Sequence, residues 1–157
     1  MSVKYLRPLT FHIGIVASRW NDLITELLLK RAEEACTGHP IHQITIDTYR
    51  VPGAFEIPVV AKTLCASGRF DGLVALGAIL KGETSHFDHL ASEVTSSLNR
   101  IAVDSGIPIG FGVIAAETME QALNRAGGKV GNKGEEAASA VIETLTVLDN
   151  VKPNGNK

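Results

Sequence analysis

The sequence predicts an α/β fold on a doubly wound parallel sheet, and three observations carry that prediction. Continuous apolar runs of strand length recur at Phe11 to Ala17, Leu73 to Leu80 and Ile107 to Ile114. Runs of this kind suit strands covered on both faces, as strands of parallel sheets are. Longer segments of helical period separate them, and strand–helix alternation repeated four times makes right-handed βαβ units the expected topology. With 157 residues the chain can build one substantial core and is short for two. Residues 11–150 are therefore read as a single α/β domain, residues 1–10 as an N-terminal arm and residues 151–157 as a loose tail.

Each element has its own signal. After the first apolar run, Asn21 is placed to cap a helix reaching about Cys36, with Leu23 and Leu27 facing away from Lys30–Arg31. Between Ile41 and Val51 the pattern alternates, Ile44, Ile46 and Thr48 against Thr45 and Asp47, which suits an edge strand. A second helix follows Pro52–Gly53, and Pro58 is tolerated there because it falls in the first turn. Ser85-x-x-Asp88 fits a capping box opening a third helix that runs to about Asp104, where Gly106 and Pro108 stop it. Thr118-x-x-Gln121 opens a fourth. A glycine-rich break, Gly127 to Gly134, precedes a last, alanine-rich helix ending near Leu148.

Composition removes several function classes. Apolar residues make up 45% and charged residues 20%, the balance of a globular protein. A net charge of −2, with no Lys/Arg cluster, gives no electrostatic footprint for nucleic acid. Cys36 and Cys65 each lie in apolar, helix-like stretches and read as buried thiols rather than a disulfide. Met1 to Thr10 mixes Lys4, Arg7 and Pro8 without an apolar core of signal-peptide length, and no run reaches the ~20 apolar residues of a membrane helix. The expected compartment is the cytoplasm, with no membrane partner.

Doubly wound sheets bind ligands at the carboxyl ends of their strands. The third strand runs into Lys81-Gly-Glu-Thr-Ser-His-Phe-Asp88. Gly82 lets the backbone turn, and the helix that follows offers free N–H groups to an anion. Thr84 and Ser85 add hydroxyls. His86 reads either as a solvated residue of a capped helix or as a proton-transfer group. His86-x-x-His89 with Glu83 and Glu93 has metal-compatible spacing, but no Cys or further His converges on it in sequence, so no metal is expected. Glu56 falls in a first helical turn, where a carboxylate needs no function yet can accept hydrogen bonds from ligand hydroxyls. Trp20, the only tryptophan, stands at the first strand's carboxyl end, where a stacking surface competes with a core role. Gly127 to Gly134 fails the Walker pattern, since Asn132 precedes Lys133 and Gly134 stands where a Ser or Thr would hold magnesium. No dinucleotide fingerprint follows the first strand, because Ser18-Arg19-Trp20 occupies that turn.

Taken together, Arg19-Trp-Asn-Asp22, Val51-Pro-Gly-Ala-Phe-Glu-Ile-Pro58, Gly82-Glu-Thr-Ser-His-Phe-Asp88 and Gly128-Lys-Val-Gly-Asn-Lys-Gly134 resemble the lumazine synthase family, over Phe11 to Leu148. The resemblance implies a flavodoxin-like three-layer α/β/α sandwich with a four-stranded parallel sheet of order 2-1-3-4. It also implies a transferase of riboflavin biosynthesis that uses no cofactor and no metal. Such an enzyme condenses 5-amino-6-ribitylamino-pyrimidinedione with 3,4-dihydroxy-2-butanone 4-phosphate and releases phosphate and water.

The resemblance assigns residues as well. Trp20, where the family usually has Phe, is expected to stack on the pyrimidine, with Asn21 beside it. Ala54, Phe55 and Glu56 match the ribityl site, and Ile79 and Leu80 the backbone that reads the pyrimidine edge. Gly82, Glu83 and Thr84 match the phosphate turn, and His86 the proton-transfer histidine. Phe111, Arg125, Lys133 and its acidic partner Glu136 match residues supplied by a neighbouring subunit. The implied assembly is a pentamer, in a shell of pentamers, with the arm packing on a neighbour and riboflavin synthase as a partner. Lys81 replaces the family's common Arg and Ala115–Ala116 its Thr–Thr pair, and neither removes a group the reaction needs. Two rival readings are a non-catalytic flavin-binding shell protein and a flavodoxin-like signalling or electron-transfer domain. His86, Thr84, Arg125 and Lys133 exceed what a binder needs. The second rival lacks the acidic clusters or first-strand phosphate loop it would require.

Overall fold

The computed structural model describes residues 7–152. Residues 1–6 and 153–157, which carry most of the expected arm (1–10) and tail (151–157), lie outside the described residues. Four strands, β1 (Thr10–Ser18), β2 (Gln43–Val51), β3 (Gly72–Leu80) and β4 (Ile109–Ala116), form one parallel sheet in the order β2-β1-β3-β4. Between them run α1 (Asp22–Thr37), α2 (Ile57–Ala66, after a 3-10 turn at Ala54–Glu56) and α3 (His86–Ser105). After β4 come α4 (Met119–Arg125) and α5 (Lys133–Val151). This is the flavodoxin-like α/β/α architecture and strand order that the resemblance implied.

The layers follow from alternation within the strands. On β3, Val74, Leu76 and Ala78 pack toward α1 and α5, while Leu73, Ala75 and Ile79 pack toward α2 and α3. β3 is buried along nearly its whole length, whereas β2, at the sheet edge, is buried only at Ile44 and Val51, with Ile46, Asp47 and Tyr49 half-buried and Thr48 exposed rather than inward as the alternation predicts. Each fully buried Ile or Leu contributes about 1.5–3 kcal/mol through apolar burial, so the core is substantial on both faces. Close approach of α5 depends on two glycines. A Cβ on Gly134 would stand 2.1 Å from the Leu28 carbonyl oxygen of α1, and one on Gly110 would stand 2.2 Å from the Ala137 carbonyl oxygen.

Several local expectations are corrected. Leu23 and Leu27 do not form the inner face of α1; they are 58% and 40% exposed, while Ile24, Leu28, Ala32 and Cys36 turn inward. Both sets have helical spacing, but the stripe through Leu27 continues into Arg31 and Glu34, whereas the stripe through Ile24 stays apolar. Asn21 stands at the cap position of α1 without capping it: its backbone is left-handed (φ 59°, ψ 48°) and its side chain bonds elsewhere. Ser85 likewise makes no side-chain cap bond, so the expected box with Asp88 is not formed. β4 starts at Ile109 rather than Ile107, because Pro108 has no N–H to give a ladder and its carbonyl accepts the Leu73 N–H at 2.9 Å. α5 opens inside the glycine-rich run and continues to Val151, past the expected end near Leu148. The edge strand at β2, Thr118 as the cap of α4, and two buried free thiols are as the sequence predicts.

Candidate active site

The strand order reverses between β1 and β3, and the site elements converge at the carboxyl ends of these strands and of β2. Leaving β1, Arg19 donates its N–H to the Val51 carbonyl (2.8 Å) and Trp20 donates to the Pro52 carbonyl (2.9 Å). These two bonds tie the exit of β1 to the exit of β2. The left-handed backbone at Asn21, which Asn tolerates better than most residues, sends its Nδ2 toward β3, where it donates to the Ala78 carbonyl at 3.0 Å. Asn21 therefore bridges the reversal point itself, one residue short of Ile79. Trp20 is 66% exposed and its indole lies against Gly53. So the sole tryptophan is at the sheet's ligand edge and outside the core.

The turn after β2 is tightly knit. Glu56 accepts the Gly53 N–H on Oε2 at 2.9 Å, closing the Ala54–Glu56 turn on itself. Ala54 is buried and Phe55 is exposed. Phe55 and Glu56, with Val59, Glu93 and Ser97, line an open groove between α2 and α3. Ile79 is buried and Leu80 half-buried.

The turn after β3 is open. Lys81 donates its N–H to the Ala116 carbonyl at 3.0 Å, extending the β3–β4 pairing by one residue. Its Nζ pairs with Glu117 at 3.0 Å, and that hydrogen bond raises the Lys81 pKa above the ordinary lysine value. Gly82 has nothing within 4 Å of where a Cβ would stand, and Glu83, Thr84, Ser85 and His86 are exposed at the start of α3. His89, Glu83 and Glu93 are also exposed, and among the described residues no group of three or more His, Cys, Asp or Glu is gathered for a metal ion.

The remaining candidates stand apart from this cluster. Phe111 is 43% exposed on β4, in register with Ala75. It lies five residues before the strand's carboxyl end, roughly 17 Å at the ordinary rise of a strand. Arg125 is the exposed last residue of α4. Lys133, the first residue of α5, pairs with Glu136 at 2.5 Å. The α5 start is firmly built: Asn132 Oδ1 accepts the Gly134 and Glu135 N–H groups, and its Nδ2 donates to the Ala126 and Leu27 carbonyls. Hydrogen bonds and contacts tie Trp20 and Asn21 to the turn of Ala54, Phe55 and Glu56 and to Ala78 beside Ile79 and Leu80, with Gly82, Glu83, Thr84 and His86 following at the exit of β3. Among the described residues no side-chain hydrogen bond links Phe111, Arg125, Lys133 or Glu136 to them.

One residue at this edge had no role in the sequence reading. Ser18 ends β1, is 1% exposed, and its Oγ has no hydrogen-bond partner among the described residues. Its signal was a hydroxyl closing an otherwise apolar run at a strand's carboxyl end.

Fold and strand order define the class: an α/β protein on a doubly wound parallel sheet, a fold whose ligands bind at the carboxyl-end crevice of the reversal point. The chain belongs to the 6,7-dimethyl-8-ribityllumazine synthase family, transferases of riboflavin biosynthesis, whose sequence profile matches residues 10–149. A 6,7-dimethyl-8-ribityllumazine synthase of Nitratidesulfovibrio vulgaris (strain Miyazaki F) is 46% identical over 136 residues, 87% of each chain. Another, of Pediococcus pentosaceus, is 47% identical over 135 residues, 86% of each chain. No helix among the described residues is long and apolar enough to cross a membrane.

Proposed function

We propose that this chain condenses 5-amino-6-ribitylamino-pyrimidinedione with 3,4-dihydroxy-2-butanone 4-phosphate to form 6,7-dimethyl-8-ribityllumazine, and that the convergent edge is where it does so. The observation that best supports the assignment is the joining of three strand exits through Arg19, Trp20 and Asn21, with Glu56 closing the turn after β2, in a member of this family. Trp20 stacks on the pyrimidine, with Asn21 beside it. The backbone of Ala54 and Phe55 and the Glu56 carboxylate take the ribityl hydroxyls, and the backbone of Ile79 and Leu80 reads the pyrimidine edge. Gly82, Glu83 and Thr84 receive the phosphate at the start of α3, where N–H groups favour an anion.

The chemistry asked of these groups is modest. The amine is already a nucleophile and the ketone an electrophile, so holding the two in line supplies much of the acceleration. His86 relays protons as the carbinolamine loses water and the phosphate departs. No step calls on a cofactor or metal.

Phe111, Arg125, Lys133 and Glu136 serve the site of a second copy, Phe111 over the ring and Arg125 on the phosphate. The place of Phe111, roughly 17 Å before the carboxyl end of its own strand, supports this reading. A head-to-tail ring closes such an interface; we read the ring as a pentamer, associated into a shell, in the cytoplasm, with riboflavin synthase as a further partner. Mixing the purified protein with both substrates should make lumazine absorbance appear, and its failure to appear overturns the assignment. Light scattering should report a very large particle. An isolated pentamer rejects the shell, and an active monomer rejects the shared site.

A further inference from the structure

We infer that Gly53 is a positioning residue for this site: it is the seat on which the Trp20 indole rests, and its lack of a side chain sets where the stacking surface lies. The inference rests on the reading of Trp20 as the pyrimidine's stacking partner.

Backbone conformation does not require glycine at position 53. Its φ of −133° and ψ of −178° are extended values that any residue adopts. Space does require it. A Cβ built on Gly53 would stand 2.5 Å from Cε3 and 2.8 Å from Cζ3 of Trp20, and 3.3 Å from Oε2 of Glu56. Carbon atoms in contact sit near 3.5–4.0 Å, so the indole cannot stay where it is beside an alanine. Trp20 is 66% exposed in the single chain, so few of the chain's own residues resist displacement of its ring, whereas its backbone is pinned by the Trp20 N–H bond to Pro52. The expected response to a Cβ is therefore a swing of the indole about a fixed backbone.

Glycine here also joins two functions. Its N–H holds the Glu56 carboxylate at 2.9 Å, and its Cα face holds the indole. The aromatic surface and the acid assigned to the ribityl chain are thereby set relative to each other by one residue without a side chain.

Because Trp20 is the only tryptophan, its emission reports the ring's surroundings directly. The test compares Gly53→Ala, Trp20→Phe and the double variant with the parent. Gly53→Ala should alter tryptophan emission and its quenching by acrylamide without ligand, and should raise KM for the pyrimidine about tenfold while moving KM for the phosphorylated ketone less than about twofold. In the Trp20→Phe background, where a smaller ring leaves the methyl group room, adding Gly53→Ala should change the pyrimidine KM by less than about twofold. Parent-like emission and KM in Gly53→Ala would overturn the proposal. So would an equal penalty in both backgrounds, which would route the effect through Glu56. If Gly53→Ala fails to fold, a folded double variant supports the seat, and an unfolded one shows that glycine serves something other than the indole. Trp20→Ala separates this from the parent reading. An unchanged pyrimidine KM there refutes stacking, while the emission change in Gly53→Ala still decides whether Gly53 seats the ring.

Discussion

The turns after β2 and β3 flank the exit of β1 and are built in opposite ways. After β2, the Gly53 N–H is held by Glu56, the Pro52 carbonyl receives an N–H from Trp20, and Ala54 is buried. After β3, Gly82 meets nothing, residues 82–86 are exposed, and Ser85 leaves the first turn of α3 without a side-chain cap. The difference matches the chemistry assigned to each side. A polyol and a flat ring are recognised by groups already in position, since any ordering on binding subtracts from affinity. An anion needs N–H groups that no internal acceptor has taken. The knit turn thus has its polar groups already paired, and the open turn leaves room for the phosphate and the second copy's Arg125 that the proposed function places there.

Replacing Arg125 by Ala should produce the largest effect on the open side. A charge-assisted phosphate contact is lost, and affinity for the phosphorylated ketone should fall about 10-fold to 100-fold. The pyrimidine should bind as before, because the turn after β2 is untouched. Separate titrations with each substrate check this, and equal weakening of both would show that the two turns do not divide the substrates between them.

A smaller effect is expected at His86, which stands at the boundary between turn and helix. His86→Ala should slow turnover about tenfold, below the usual contribution of about 100-fold or more from positioned proton transfer, because proximity carries much of the rate. Both KM values should stay close to the parent's. A raised ketone KM with unaltered turnover would move His86 from proton transfer to phosphate anchoring.

The sheet was legible in the sequence because burial on both faces leaves uninterrupted apolar runs, and β2 stood out as an edge because polar residues interrupt its apolar positions, although Ile44 and Ile46 pack on one face and Tyr49 and Val51 on the other. The helix beginnings were less legible. Asn21 and Ser85 both have the residue types of caps, yet neither caps with its side chain. Asn21 is drawn to the Ala78 carbonyl, a partner 57 positions away that no local pattern reveals. The inner face of α1 was misassigned because two leucine-containing stripes compete locally, and contact with the sheet and α5 decides between them. Of the candidate site, the convergent part follows from the rule that ligands gather at strand ends. Phe111, Arg125, Lys133 and Glu136 came only from family resemblance. Nothing in their local pattern distinguishes them from an exposed strand residue and helix-terminal charges.

The smallest expected effects give the cleanest comparison of the two turns, since they concern stability without ligand. Glu56→Ala frees the Gly53 N–H in the knit turn and should cost about 1 kcal/mol, the net worth of a hydrogen bond. Ser85→Ala removes a hydroxyl that makes no cap bond, so its cost should stay below about 0.5 kcal/mol, within the range of an ordinary surface change. A residue that did cap α3 would cost about 1 kcal/mol or more on truncation. Denaturant unfolding of both variants measures the contrast. The expected order is Glu56→Ala below the parent, with Ser85→Ala indistinguishable from it. If Ser85→Ala proves the more damaging, the hydroxyl caps α3 after all, and the N–H groups proposed to await an anion are already occupied.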